Sequence, residues 1–137
     1  MTPTEKQLVQ TTFAKLVPIA DQAAAMFYAR LFEMDPSLRV LFKHDMAEQG
    51  QKLMQMIALC VNGLDKIDTL VPAIKDLGRR HTAYGVAGVH YETVGGALLW
   101  TLEQGLGPEF TPDVKAAWTS VYTLLAATMQ AGARAAN

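Results

Sequence analysis

The apolar residues of this chain recur three and four positions apart, and nowhere is a two-residue alternation sustained. Met26, Phe27 and Leu31, with neighbouring Tyr28 and Phe32, form one stripe; Leu53, Met56, Ile57, Cys60 and Leu64 form a second. Val114, Ala117, Trp118, Val121, Tyr122 and Leu125 form a third. This spacing lines one face of an α-helix and offers a strand no continuous apolar face. The chain is thereby restricted to helices that bury their stripes against one another.

Helix-start signals agree with the stripes. Thr2-Pro3-Thr4-Glu5 reads as a capping box with proline in the first turn, and Asp35-Pro36 repeats the cap-plus-proline pattern. Asp45 to Glu48 is a further capping pattern, and Thr111-Pro112-Asp113 opens the last helix in the same way. Pro18, Pro36, Asn62-Gly63, Gly85, Gly88 and Gly105 to Pro108 supply the joints. The expected helices are 3–17, 19–34, 36–42, 46–62, 70–83, 90–105 and 112–131, with a fraying tail from Ala131 onward. Seven helices of unequal length, one of them very short, fit a steeply crossed arrangement around a pocket better than a regular four-helix bundle.

Composition narrows the class. At 137 residues, half of them apolar, the chain is one domain able to bury roughly two-thirds of its unfolded surface. A net charge of −1 supplies no basic field for nucleic acid or anionic lipid. The single Cys60 excludes an intrachain disulfide framework and suits a reducing compartment. No secretory signal opens the sequence, and no apolar run approaches the roughly 18 residues of a membrane span. A cytoplasmic protein is expected.

Several segments carry more specific information. They are Met26-Phe27-Tyr28-Ala29-Arg30-Leu31-Phe32, Leu41-Phe42, Gln49 through Met54, Leu77-Gly78-Arg79-Arg80-His81, His90-Tyr91 to Gly95, and Ala117-Trp118 to Tyr122. In order and spacing they resemble the bacterial single-domain globins, similar to Vitreoscilla-type haemoglobins and to the globin domain of flavohaemoglobins. The resemblance covers essentially the whole chain. It implies an all-α globin fold, a single globin domain over 1–137 without a reductase domain, and haem b (iron protoporphyrin IX) as cofactor.

Carried onto this sequence, the resemblance makes His81 the proximal iron ligand. A neutral imidazole suits iron, and its second ring nitrogen should donate to a nearby carbonyl or carboxylate. Phe42 is implied to stack on the porphyrin, and Leu53, Leu77, Val86, Tyr91 and Val94 to line the cofactor. Tyr28 and Gln49 are implied as distal hydrogen-bond donors to the negative charge that a ligand such as dioxygen acquires. Each such bond in a dry pocket is worth roughly 1.5–3 kcal/mol. Leu53, four residues after Gln49, shares its helix face and limits the space for the ligand.

Taken singly, these residues have plainer readings. His81 could be a surface or core histidine, Phe42 ordinary core, Tyr28 a core tyrosine, and Gln49 an exposed residue in a capped first turn. Arg79 and Arg80 read as solvated charge, with a haem propionate as the alternative partner. His44 and His90 read as exposed or capping residues.

Two departures from the family bear on function. The resemblance puts Tyr91 and Tyr122 near the histidine, but the glutamate that strengthens its basicity should fall at Ala133, so a peroxidase-like activity is put in doubt. There is also no GxGxxG stretch. Reversible binding of O₂, with NO and CO as further ligands, is therefore the first expectation. Nitric oxide dioxygenation with a separate flavin or NAD(P)H-dependent reductase is the alternative, and a haem-free or sensory globin a distant third.

Overall fold

The computed structural model describes residues 2–42, 45–83, 85–86 and 88–135, the last three of these as helical backbone alone. Six α-helices carry the fold: α1 Pro3–Leu16, α2 Ala20–Met34, α3 Met46–Asn62, α4 Ile67–Ala83, α5 Gly88–Leu106 and α6 Pro112–Ala135. Short 3₁₀ turns join them at Val17–Ile19, Pro36–Leu41, Leu64–Lys66 and Gly107–Glu109. No strand occurs among the described residues.

The caps form as their chemistry requires. The Thr2 side chain accepts from the Glu5 amide at 3.1 Å, and the Glu5 carboxylate accepts from the Thr2 amide at 3.1 Å. The other Glu5 oxygen accepts from Ser120 Oγ at 2.9 Å, so one carboxylate ties the start of α1 to α6. Asp45 caps α3 through the Ala47 amide at 2.8 Å, and Thr111 caps α6 through Val114 at 3.2 Å.

Two expectations change. The segment after Asp35-Pro36 is 3₁₀ rather than α, its Asp35 cap accepting from both the amide and the hydroxyl of Ser37. The tail does not fray from Ala131, because α6 continues to Ala135 with Gly132 buried against the backbone of Lys75 on α4.

Two apolar clusters hold the helices. The larger gathers Val9, Phe13 and Leu16 of α1, Val61 of α3, Leu102 and Leu106 of α5, and Val114, Ala117, Trp118 and Val121 of α6. A polar link crosses it, the Trp118 indole N–H donating to Thr12 Oγ1 at 2.9 Å, while that hydroxyl donates to the Leu8 carbonyl. The smaller gathers Phe27, Tyr28, Leu31, Leu38 and Ala97, with Phe42, Leu53 and Val94 packed against it. Leu98 borders both clusters.

The Glu5 carboxyl is held below its ordinary value of 4.5, first by the Thr2 amide and then by Ser120. The unfolded chain therefore takes up the proton first, so the stabilisation is present above pH 4.5 and is lost as pH falls through the lower folded value. Urea unfolding of wild type and Glu5→Gln is expected to differ near neutrality and to converge in acid. A difference independent of pH contradicts this role for the carboxylate.

Candidate functional site

α2 and α3 cross where Ala24 meets Gly50, so closely that a Cβ on Gly50 would lie 3.0 Å from the Ala24 methyl. The crossing fixes what stands beside it. Tyr28 lies one turn beyond Ala24, Gln49 immediately precedes Gly50, and Leu53 follows one turn on from Gln49. Their side chains draw together: Tyr28 and Leu53 share the smaller cluster, and the Gln49 side chain stands near enough to the Tyr28 hydroxyl to favour its ionised form. Burial pushes the Tyr28 hydroxyl up from its ordinary value of 10.0, with Gln49 pulling the other way, so the group stays a protonated donor at neutral pH.

Phe42 joins the same group through its ring. It ends the 3₁₀ turn, its amide bonded to the Arg39 carbonyl at 3.1 Å. Its ring stands edge-on to Tyr28 at 5.3 Å and to Phe32 at 5.4 Å, while Arg39 covers the far aromatic, Phe32. Val94, from α5, completes this side of the site.

His81 stands on α4, in its last turn. Its Nδ1 lies 2.8 Å from the Leu77 carbonyl. A carbonyl can only accept, so Nδ1 carries the proton and Nε2 is left with the lone pair that binds a metal. Burial lowers the imidazole from its ordinary 6.5, with Arg80 adding to the effect and the Leu77 bond opposing it. The neutral, ligating form is therefore favoured.

The turn after His81 is equally specific. The Gly85 amide bonds to the Thr82 carbonyl and the Val86 amide to the His81 carbonyl, both at 3.0 Å. This is a Schellman cap, and it places Gly85 at φ 102, where a side chain is strained. The cap turns Val86 back beside the histidine. Glycine four residues after His81, followed by an apolar residue, is the sequence signal for it.

On α5, the Tyr91 carbonyl accepts from the Tyr122 hydroxyl at 2.5 Å, and the Tyr122 ring packs closely against Gly95. The Tyr91 hydroxyl is buried and finds no hydrogen-bond partner among the described residues, and burial pushes it up from its ordinary value. Burial raises Tyr122 further, so both phenols remain neutral.

The other sequence candidates fall into place. Arg79 and Arg80 both pair with Asp76, at 3.4 and 3.2 Å, in exposed positions. His90 is half-buried in the first turn of α5. His44 and the side chain of Ala133 lie outside the described residues.

α4 packs on α6 and barely touches α3 or α5. Phe42, Gln49, Leu53, Leu77, His81, Val86, Tyr91 and Val94 are all half-buried. A separate cavity of about 470 Å³ lies at the α2–α3 crossing, with Asp21, Ala24, Arg39 and Gly50 among its lining residues. It shares Tyr28 with the site but is lined by none of the α4 or α5 candidates.

The donor set fits haem. Among the described residues no three histidine, cysteine or acidic side chains converge to cage a metal. An ion at His81 would need its remaining ligands from a chelate, and a flat apolar macrocycle suits these walls. The orphaned Tyr91 hydroxyl adds a polar group awaiting a partner.

Known proteins agree with this architecture. A family model described as Globin matches residues 25–129. A neuroglobin of Danio rerio is 30% identical, the alignment covering 93% of this chain and 89% of that protein. Neuroglobin-1 of Oncorhynchus mykiss is 29% identical over 96% of this chain and 92% of its own length. Among solved structures, an engineered carbene transferase, provisionally named a nitric oxide dioxygenase, from Rhodothermus marinus superposes with a TM-score of 0.89 at 26% identity. That superposition covers 99% of this chain and 95% of the other.

Proposed function

The chain belongs to the globin family, and we propose that it binds dioxygen reversibly through haem b held by His81, with NO and CO as alternative ligands. The observation that carries this is the 2.8 Å contact of His81 Nδ1 with the Leu77 carbonyl, which leaves Nε2 available on a helix that barely touches α3 or α5. Within the family, the reading favours the Vitreoscilla-type branch, with the cytoplasm as its setting. No helix among the described residues is long and apolar enough to cross a membrane.

Haem supplies an iron centre that takes a diatomic ligand; the chain supplies everything that orients and selects it. His81 holds the cofactor in one tautomer and, being kept neutral by burial, stays ligand-competent below the ordinary imidazole range. Phe42, Leu53, Leu77, Val86 and Val94 offer apolar surface to a porphyrin, with Tyr91 beside them. Covering such surface is worth about 25 cal/mol per Å². The same contacts would exclude water.

Tyr28 and Gln49 give the site its selectivity. The Gln49 side chain stands close to the Tyr28 hydroxyl. A ligand carrying negative charge competes for both protons, whereas CO, which carries less charge, gains less from them. Leu53, on the same face as Gln49, would bound the space from one side.

A second reading, nitric oxide dioxygenation, is favoured by the Rhodothermus marinus neighbour. There NO and O₂ become nitrate, and a separate flavin or NAD(P)H-dependent reductase returns the electron used. The same two donors would serve, since they polarise dioxygen in either case.

Tyr28→Phe is expected to speed O₂ dissociation about ten- to a hundredfold while changing CO dissociation much less; equal changes for both gases would point to a steric role instead. NO consumption under excess O₂ separates the two functions. Loss of one equivalent, even with catalytic reductase present, supports binding, and sustained turnover establishes the enzyme.

A further inference from the structure

We propose that Gly78 and Gly132 are positioning residues for His81, forming a seam between α4 and α6 that sets where the imidazole stands relative to α3. The proposal rests on His81 being the haem ligand. It concerns residues that touch neither haem nor gas.

α4 is attached to the molecule in an unusual way. Of its residues Ile67–Ala83, only Ile74 and Gly78 are buried. Beyond Ile67, no α4 residue belongs to or packs against either apolar cluster. Its one extensive packing partner is α6. The helix bearing the histidine therefore stands where α6 holds it.

The hold is backbone on backbone. A Cβ on Gly78 would overlap the Met129 carbonyl and come within 2.7 Å of Met129 Cα. A Cβ on Gly132 would overlap the Lys75 carbonyl and come within 2.6 Å of Lys75 Cα. The two contacts are reciprocal, since Lys75 lies three residues before Gly78 and Met129 three before Gly132. Backbone atoms cannot swing aside as a flexible side chain does, so an added methyl must part the helices.

His81 lies three residues beyond Gly78, on the neighbouring turn of the same face. Its ring is locked to α4 by the Leu77 carbonyl. A shift of α4 at the seam is thus passed to Nε2 with little room for the side chain to compensate. Interaxial distances of packed helices depend on the side chains at the contact, so a glycine-to-alanine change is expected to move α4 by about 1 Å.

The test uses the full chain carrying Gly78→Ala. Spin labels on Lys52→Cys of α3 and Arg79→Cys of α4, both exposed positions, report the helix separation without haem; the native Cys60 is buried and does not compete. On the haem-loaded protein, the iron–histidine stretching band and the haem dissociation rate are read. The expected result is an altered label distance of about 1 Å, a shifted band, and haem loss accelerated about tenfold. Val61→Ala, a core change away from the seam, should lower stability but leave band and distance in place.

An unchanged distance in folded Gly78→Ala, an unchanged band, or an equal band shift in Val61→Ala would overturn the positioning role. Should Gly78→Ala not fold, Gly132→Ala gives the same readouts, because it lies near the end of α6 and outside both clusters. A wild-type haem complex lacking the iron–histidine band would instead overturn the assignment of His81, and the label distance would still judge the seam.

Discussion

The helix that carries His81 is fastened along one side only. α4 meets α6 at a backbone-close seam and makes little contact with α3 or α5. Were it packed on α3 as well, Leu53 and Leu77 would be ordinary core and His81 would have nothing to face. Instead several apolar side chains are left half-buried in the interior of a small domain. Apolar walls facing a gap are unfavourable unless something apolar fills it, at about 25 cal/mol per Å². The same geometry that weakens the isolated chain thus prepares it for a flat hydrophobic cofactor.

The opposite wall is built in the reverse manner, by tight packing. The Ala24–Gly50 contact brings α2 and α3 together and thereby sets Tyr28 beside Gln49 and Leu53. The buried phenol and the half-buried amide thus stand side by side before any ligand arrives, as the proposed donor role requires. On the α4 side the Leu77 carbonyl does the corresponding work for His81, choosing the tautomer before any metal is present. Both walls are therefore prearranged by elements other than the cofactor.

Much of the fold was legible in the sequence. Thr2, Asp45 and Thr111 cap the helices they were expected to cap, and the third apolar stripe is the buried face of α6. Local chemistry determines such features, so local sequence reveals them. The extension of α6 past Ala131 was not legible, because it depends on Gly132 meeting a helix more than fifty residues away. The 3₁₀ form of Pro36–Leu41 was missed for a related reason: a cap and a proline announce a helical turn without specifying its pitch. For the site, Tyr28 and Gln49 stood out only through family resemblance, since each alone has an ordinary explanation. The Gly85–Val86 cap could have been read from spacing, whereas the Gly78–Gly132 seam required the fold.

The central claim is that His81 binds haem iron through Nε2. It is tested most directly by absorption spectroscopy of the purified chain titrated with haem, beside His81→Ala with and without added imidazole. A saturable Soret band at one haem per chain, weakened in the variant and restored by free imidazole, is the predicted result. No Soret band in the wild type, or one equally strong in His81→Ala without imidazole, would contradict it.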